Sequence, residues 1–88
     1  MEFEWNEEKN AKTKQERGFG FDYVAKIFKG RVLERVDNRK DYGETRIAAL
    51  GEVEGTIYYV VYTKRNGAKR IISARKANEN ERREYYQN

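Results

Sequence analysis

The chain of 88 residues contains no histidine, no cysteine and no proline. Without cysteine there is no disulfide framework, so the chain does not read as a small secreted scaffold. Without cysteine and histidine the usual zinc geometries are excluded, and nothing in the sequence calls for a metal or another cofactor. Neither a Ser-His-Asp nor a Cys-His arrangement can be built. A histidine pair cannot shuttle protons either. Any chemistry falls to Tyr, Lys, Arg, Asp, Glu and the backbone. Long apolar runs are also missing. The longest, Ile57 to Tyr62, is too short to cross a membrane, and the opening Met1-Glu2-Phe3-Glu4-Trp5 has neither the basic start nor the apolar stretch of a signal peptide. A cytoplasmic protein without membrane attachment is expected.

Charge is abundant. Lys and Arg number 19 against 15 Asp and Glu, a net +4, and charged residues make up 39% of the chain. Hydrophobic residues are 38%, below the usual ~45–50%. Such a balance can signal disorder. The four Phe, seven Tyr and one Trp argue for a core, because each aromatic ring buries ~150–250 Å². One small folded domain spanning residues 1–88 is expected.

Phe3 and Trp5 alternate with Glu2 and Glu4, the pattern of a short strand or extended arm. Asn6 suits a helix N-cap, Glu7 and Glu8 suit the positive helix end, and Gly18 suits the stop, which predicts a helix over 7–17. Phe21, Val24, Ala25 and Phe28 form the best amphipathic stripe and predict a second helix over 21–29. The period then changes from 3.6 to 2. Strands are predicted over 31–36, 45–53, 56–63 and 68–74, with a polar loop over 37–44, a tight turn at Glu54-Gly55 and a hairpin turn at Asn66-Gly67. Asn78 to Glu81 resembles a capping box opening a helix over 79–86. The expected fold class is α+β: an antiparallel meander of about four strands with two N-terminal helices and a C-terminal helix.

The charge is concentrated on the hairpin. Lys64, Arg65, Lys69, Arg70, Arg75 and Lys76 lie in a window with no acidic residue. Strict alternation would place Lys69, Ile71, Ser73 and Arg75 on one face and Ala68, Arg70, Ile72 and Ala74 on the other. Clustered cations near tyrosines suit phosphate contact and base stacking, and they equally suit a solvated hairpin. Tyr58, Val60 and Tyr62 share one face of the central strand, and Ile57, Tyr59 and Val61 the other. Tyr62 stands near Lys64 and Arg65, and a cationic surround would lower its pKa enough for general-base work without histidine. Tyr42 and Glu44 are expected to be exposed in the loop.

Four segments, in order, resemble the BrnT toxins of type II toxin–antitoxin modules. They are Phe3 to Asn10 (FEWNEEKN); Gly18 with Phe21, Ala25 and Phe28; Asp41-Tyr42-Gly43-Glu44 with Arg46 and Gly51; and Val60 to Thr63 with Arg70 to Ala77 (RIISARKA), then Glu81, Arg82, Arg83 and Tyr85. Arg17 stands where that family commonly has histidine, and Gly20 where it often has Ser or Asp. The resemblance implies a RelE-like ribonuclease that arrests growth by cutting RNA. It also implies a BrnA-type antitoxin that neutralises it, with DNA contacted only indirectly through the antitoxin complex. On this reading Glu44, Arg46, Tyr62, Arg70 and Arg75 are the catalytic candidates, with Tyr62 or Glu44 as base. Lys64, Arg65, Lys69 and Lys76 are RNA-binding candidates. The alternatives are a module that binds RNA or a partner without catalysis, and an interaction protein whose charge matches an acidic antitoxin, with helix 79–86 as a docking surface.

Overall fold

The computed structural model describes residues 2–88. Five strands form one sheet in the order β1-β5-β4-β3-β2: β1 (Phe3–Glu4), β2 (Val32–Asp37), β3 (Arg46–Val53), β4 (Thr56–Arg65) and β5 (Ala68–Lys76). Helices α1 (Glu7–Arg17), α2 (Phe21–Val24) and α3 (Glu79–Gln87) and a 3₁₀ segment (Ala25–Lys29) complete the fold. The meander from β2 to β5 is antiparallel, as expected. Two details correct the expectation. The opening arm is a fifth strand that pairs parallel to β5 through Phe3–Lys69 and Glu4–Arg70, so the sheet is mixed. The second helix is a single α-turn that tightens into 3₁₀, with only the five residues Ala25–Lys29 between Val24 and the stop at Gly30.

Local signals explain the boundaries. The side chain of Asn6 accepts from the Lys9 amide, and Gly18 closes α1 in the left-handed conformation, donating its N–H to the Lys14 carbonyl. The thin apolar face of α1 is replaced by a polar anchor. Buried Asn10 accepts from the Phe21 amide at 2.7 Å and so caps α2, whose own cap residue has no side chain. Gly20 must lack one, since a Cβ there would stand 2.7 Å from Asn10 Oδ1 and 2.6 Å from Asp22 Oδ1.

Both faces of the sheet are used. On one face Phe21, Val24 and Ile27 pack on Tyr58, Val60, Tyr62 and Ile71. A fully buried side chain of this size contributes about 1.5–3 kcal/mol. On the other face Tyr85 and Ala77 pack on Leu50 and Ile57 over part of the sheet only. Arg31 donates to the carbonyls of Tyr85 and Asn88, tying down the C-terminal end of α3, where a cation is favoured. That helix is therefore docked through Tyr85, while Tyr86 is exposed. Among the described residues no helix is long and apolar enough to cross a membrane.

The β4–β5 ladder contains a bulge. Val61 faces Ser73 but Tyr62 faces Ile71, which leaves Ile72 as the extra residue. A one-residue insertion exchanges the faces of everything beyond it.

Candidate functional site

The bulge decides which cations meet. Before it, Thr63 pairs with Arg70; after it, Tyr59 pairs with Arg75. Thr63 and Tyr59 share a face, so Arg70 and Arg75 do too, against the strict alternation expected from sequence. Lys69 stays on the face of Tyr62, with its Nζ donating to the Tyr62 hydroxyl at 3.2 Å, and Lys76 pairs with Tyr58 on that same face. The basic window is thus sorted by residue type. Arg65, Arg70 and Arg75 occupy the α3 face, and Lys64, Lys69 and Lys76 the helical face.

The part of the α3 face that the helix leaves open is lined with arginines. Arg75 lies flat on Tyr59, 4.1 Å from the ring centroid, and makes a fork with Glu81 at 2.8 and 2.9 Å. Arg35 pairs with Glu84 across the same groove, which has a volume of about 370 Å³. Arg39 reaches back to buried Asp37 with two bonds at 2.8 and 2.9 Å. Arg46, on β3, stacks on Tyr42 at 3.8 Å and lies 3.4 Å from Glu44. Arg65, on β4, approaches the other oxygen of Glu44 at 3.5 Å. Arg70 turns to Glu4 at 3.2 Å beside β1. Arg39 lies within electrostatic reach of Tyr42, Tyr59 and Arg75, joining the Glu44 cluster to the Arg75 groove.

Every one of these arginines faces a carboxylate, and Glu44 alone serves two of them. Arg46 and Arg65 thus converge on one carboxylate from neighbouring strands. Tyr59 lies under Arg75 and Tyr42 under Arg46, and the planar guanidinium fork is the geometry that grips phosphate oxygens. The Arg75 fork keeps the Glu81 carboxyl below the usual range and the guanidinium above its own. The Arg39 fork does the same to the Asp37 carboxyl.

Tyr62 is placed otherwise. It is 1% exposed, on the helical face, and its hydroxyl donates to Glu34 at 2.5 Å. Burial, and then the neighbouring carboxylate, push its pKa upward. The expected lowering by Lys64 and Arg65 is corrected, because Lys64 is exposed and Arg65 points to the opposite face. Tyr42 is half-buried under Arg46 rather than free in the loop. Among the candidates, Glu44, Arg46, Arg65, Arg70 and Arg75 share the α3 face, and Tyr62, Lys64, Lys69 and Lys76 do not. Sequence reasoning missed Arg35, Arg39 and Tyr59. The two-residue spacing from Tyr59 through Thr63 to Arg65 carried the signal for Tyr59, but nothing local marked Arg39. Among the described residues no three Asp or Glu side chains converge as a metal site.

A family model described as a ribonuclease toxin, BrnT, of type II toxin–antitoxin systems matches residues 5–81. No curated protein matches the chain.

Proposed function

The chain belongs to the BrnT family of ribonuclease toxins from type II toxin–antitoxin systems, and on that premise we propose that it is a metal-independent endoribonuclease whose site is the arginine-lined α3 face. The observation that carries this reading is the single carboxylate of Glu44 shared by Arg46 and Arg65 from neighbouring strands. The scissile phosphate binds the two guanidiniums. The Glu44 carboxylate accepts the 2′-hydroxyl proton, the 2′-oxygen attacks phosphorus, and the bond from phosphorus to the 5′-oxygen breaks. Water protonates the departing oxygen, leaving a 2′,3′-cyclic phosphate and a 5′-hydroxyl. Arg70, opposite Thr63, meets the charge that develops on the phosphorane, where fixed donors contribute most, and Arg75, farther along the strand opposite Tyr59, holds a neighbouring phosphate. The whole chain, residues 1–88, acts as one toxin domain in the cytoplasm, and a BrnA-type antitoxin neutralises it.

The test is cleavage of purified single-stranded RNA in EDTA, with the product ends identified. Arg46→Ala should lower the rate by roughly 10²–10³, and, with the far-ultraviolet circular dichroism of both variants that of the wild type, Arg75→Ala should lower cleavage at limiting RNA. Undiminished cleavage by either variant refutes the role of that arginine. Wild-type binding without cleavage would favour a non-catalytic RNA-binding module.

A further inference from the structure

The lysines sorted to the helical face raise a second question. At the C-terminal end of α1 lies an open depression of about 500 Å³, and Lys14, Arg17, Phe19, Tyr23, Tyr58 and Lys76 are among its walls. Three cations from two separate elements converge there against one carboxylate, Asp22. Lys14 lies 3.8 Å from Asp22, and both side chains are more than half exposed. The side chains of Arg17 and Lys76 have no hydrogen-bond or ion-pair partner among the described residues. Half-buried Phe19 stands edge-on to Tyr58 at 4.9 Å. Cations in the last turn of α1 favour the helix dipole. That accounts for Lys14 and Arg17, but not for Lys76 arriving from β5 or for the aromatic wall.

The position of Lys76 connects the depression to the arginine face. Arg75 and Lys76 are consecutive on β5, so their side chains leave opposite faces of one strand. The strand β1 pairs only with Lys69 and Arg70, and the outer edge of β5 from Ser73 to Lys76 has no neighbouring strand. A polyanion lying on Arg75 can pass over this edge and meet Lys76 directly.

We propose that the depression formed by Lys14, Arg17 and Lys76 is a second phosphate-binding site for the RNA strand, beyond the edge of β5 from the arginine face. It rests on the ribonuclease reading and extends it: the substrate is single-stranded RNA long enough to wrap that edge. Phosphate contacts supply affinity without sequence preference, and Phe19 offers a flanking base an aromatic surface. Duplex RNA is too stiff to follow this path, so single strands are the favoured substrate class.

Fluorescence anisotropy with labelled 2′-O-methyl oligonucleotides, which cannot be cleaved through the 2′-oxygen, tests the site at several salt concentrations. Probes of about 4 and about 16 nucleotides bracket the range of single-strand site sizes. The Lys14→Gln/Arg17→Gln double variant should bind the longer probe more weakly. Its slope of log affinity against log salt should be shallower by about 0.7 for each phosphate that the variant no longer neutralises, and the weakening should grow with probe length. Lys76→Gln, made separately, should shift the slope in the same direction. Thermal melts unchanged from the wild type confirm that the variants fold. Unchanged affinity and slope on the longer probe, with Arg75→Gln impaired, overturn the second site and leave the arginine face standing. Failure of the wild type to bind either probe overturns both. Variants that lose antitoxin affinity but keep RNA affinity also overturn the proposal and identify the depression as a protein-binding surface.

Discussion

Replacing Glu81 by glutamine and by alanine separates two tasks that its carboxylate performs. One oxygen accepts from the Asn78 amide at 2.8 Å, closing the capping box of α3, and both oxygens hold Arg75. Glutamine keeps a carbonyl oxygen for the Asn78 amide but gives up the charge. Alanine gives up both. The Arg75 side chain is 35% exposed and that of Glu81 17%, so solvent screens the pair, and its loss should cost about 0.5–1 kcal/mol. Losing the cap bond adds about 1 kcal/mol. A domain of this size loses about 4–8 °C of melting temperature per kcal/mol. Glu81→Gln should therefore melt about 2–8 °C below the wild type, and Glu81→Ala about 6–16 °C below it. The pH dependence adds a check. Arg75 lowers the carboxyl pKa of Glu81 in the folded state. The stability from the pair is then present above the unfolded value near 4.3 and is lost as pH falls through the folded value. Melts from pH 7 to pH 3 should show the gap between wild type and Glu81→Gln closing. The gap to Glu81→Ala should narrow without vanishing, since a protonated carboxyl still accepts from the Asn78 amide. Equal losses for the two variants at pH 7, or a gap to Glu81→Gln that stays constant with pH, would refute the division.

Gly51→Ala should destabilise by about 1–3 kcal/mol in urea unfolding, because the new Cβ would stand 2.6 Å from Ile27 Cβ and 3.2 Å from Val32 Cγ1; adding Ile27→Val should not restore stability, as it leaves the clashing atom in place. Tyr23 donates to Glu54 at 2.8 Å, and this bond pushes the phenol up to about 12. Folding thus retains the proton, so the stability from the bond is whole below pH 10 and is lost as pH rises towards 12; unfolding of wild type and Tyr23→Phe should differ at pH 9 and converge by pH 12, and a difference that persists would sink the assignment.

Most of the elements were legible because each carries a local signal: Asn6 and Asn78 as caps, Gly18 as a stop, Asn66-Gly67 as a turn, and period-2 runs between them. What was not legible is non-local. The arm at Phe3 becomes a strand only because β5 offers an edge to it, and no local pattern says whether such an arm pairs parallel. Tyr62 stands near Lys64 and Arg65 in the sequence, which suggests a cationic surround, but the fold buries it against Phe28 and strand parity sends Arg65 the other way. Arg39 sits in a loop whose sequence gives no reason to aim it at the sheet; its fork with Asp37 follows from the end of β2, where Asp37 is directed onto the arginine face opposite Arg46.

The largest discrepancy comes from one residue. Were Ile72 to alternate regularly instead of bulging, Arg75 would fall on the face of Tyr62 and Lys69, among the packed helices, and Lys76 would fall on the face of Arg70. The arginines would then be divided between the faces, and Tyr59 would have no guanidinium on its ring. The isoleucine run Ile71-Ile72 gives no hint of this, since bulged residues carry no fixed composition. The packing, not the spacing, shows the bulge. Ile71 and Ala74 are both buried in the same cluster although they are three residues apart, and a regular strand cannot bury both on one face. Apolar residues at i and i+3 do not by themselves signal a bulge, since Ile57 and Val60 are both buried on opposite faces of the regular strand β4; it is burial on one and the same face that requires it. In this chain the bulge puts Arg70 and Arg75 on one face of the sheet, and that face carries the candidate site.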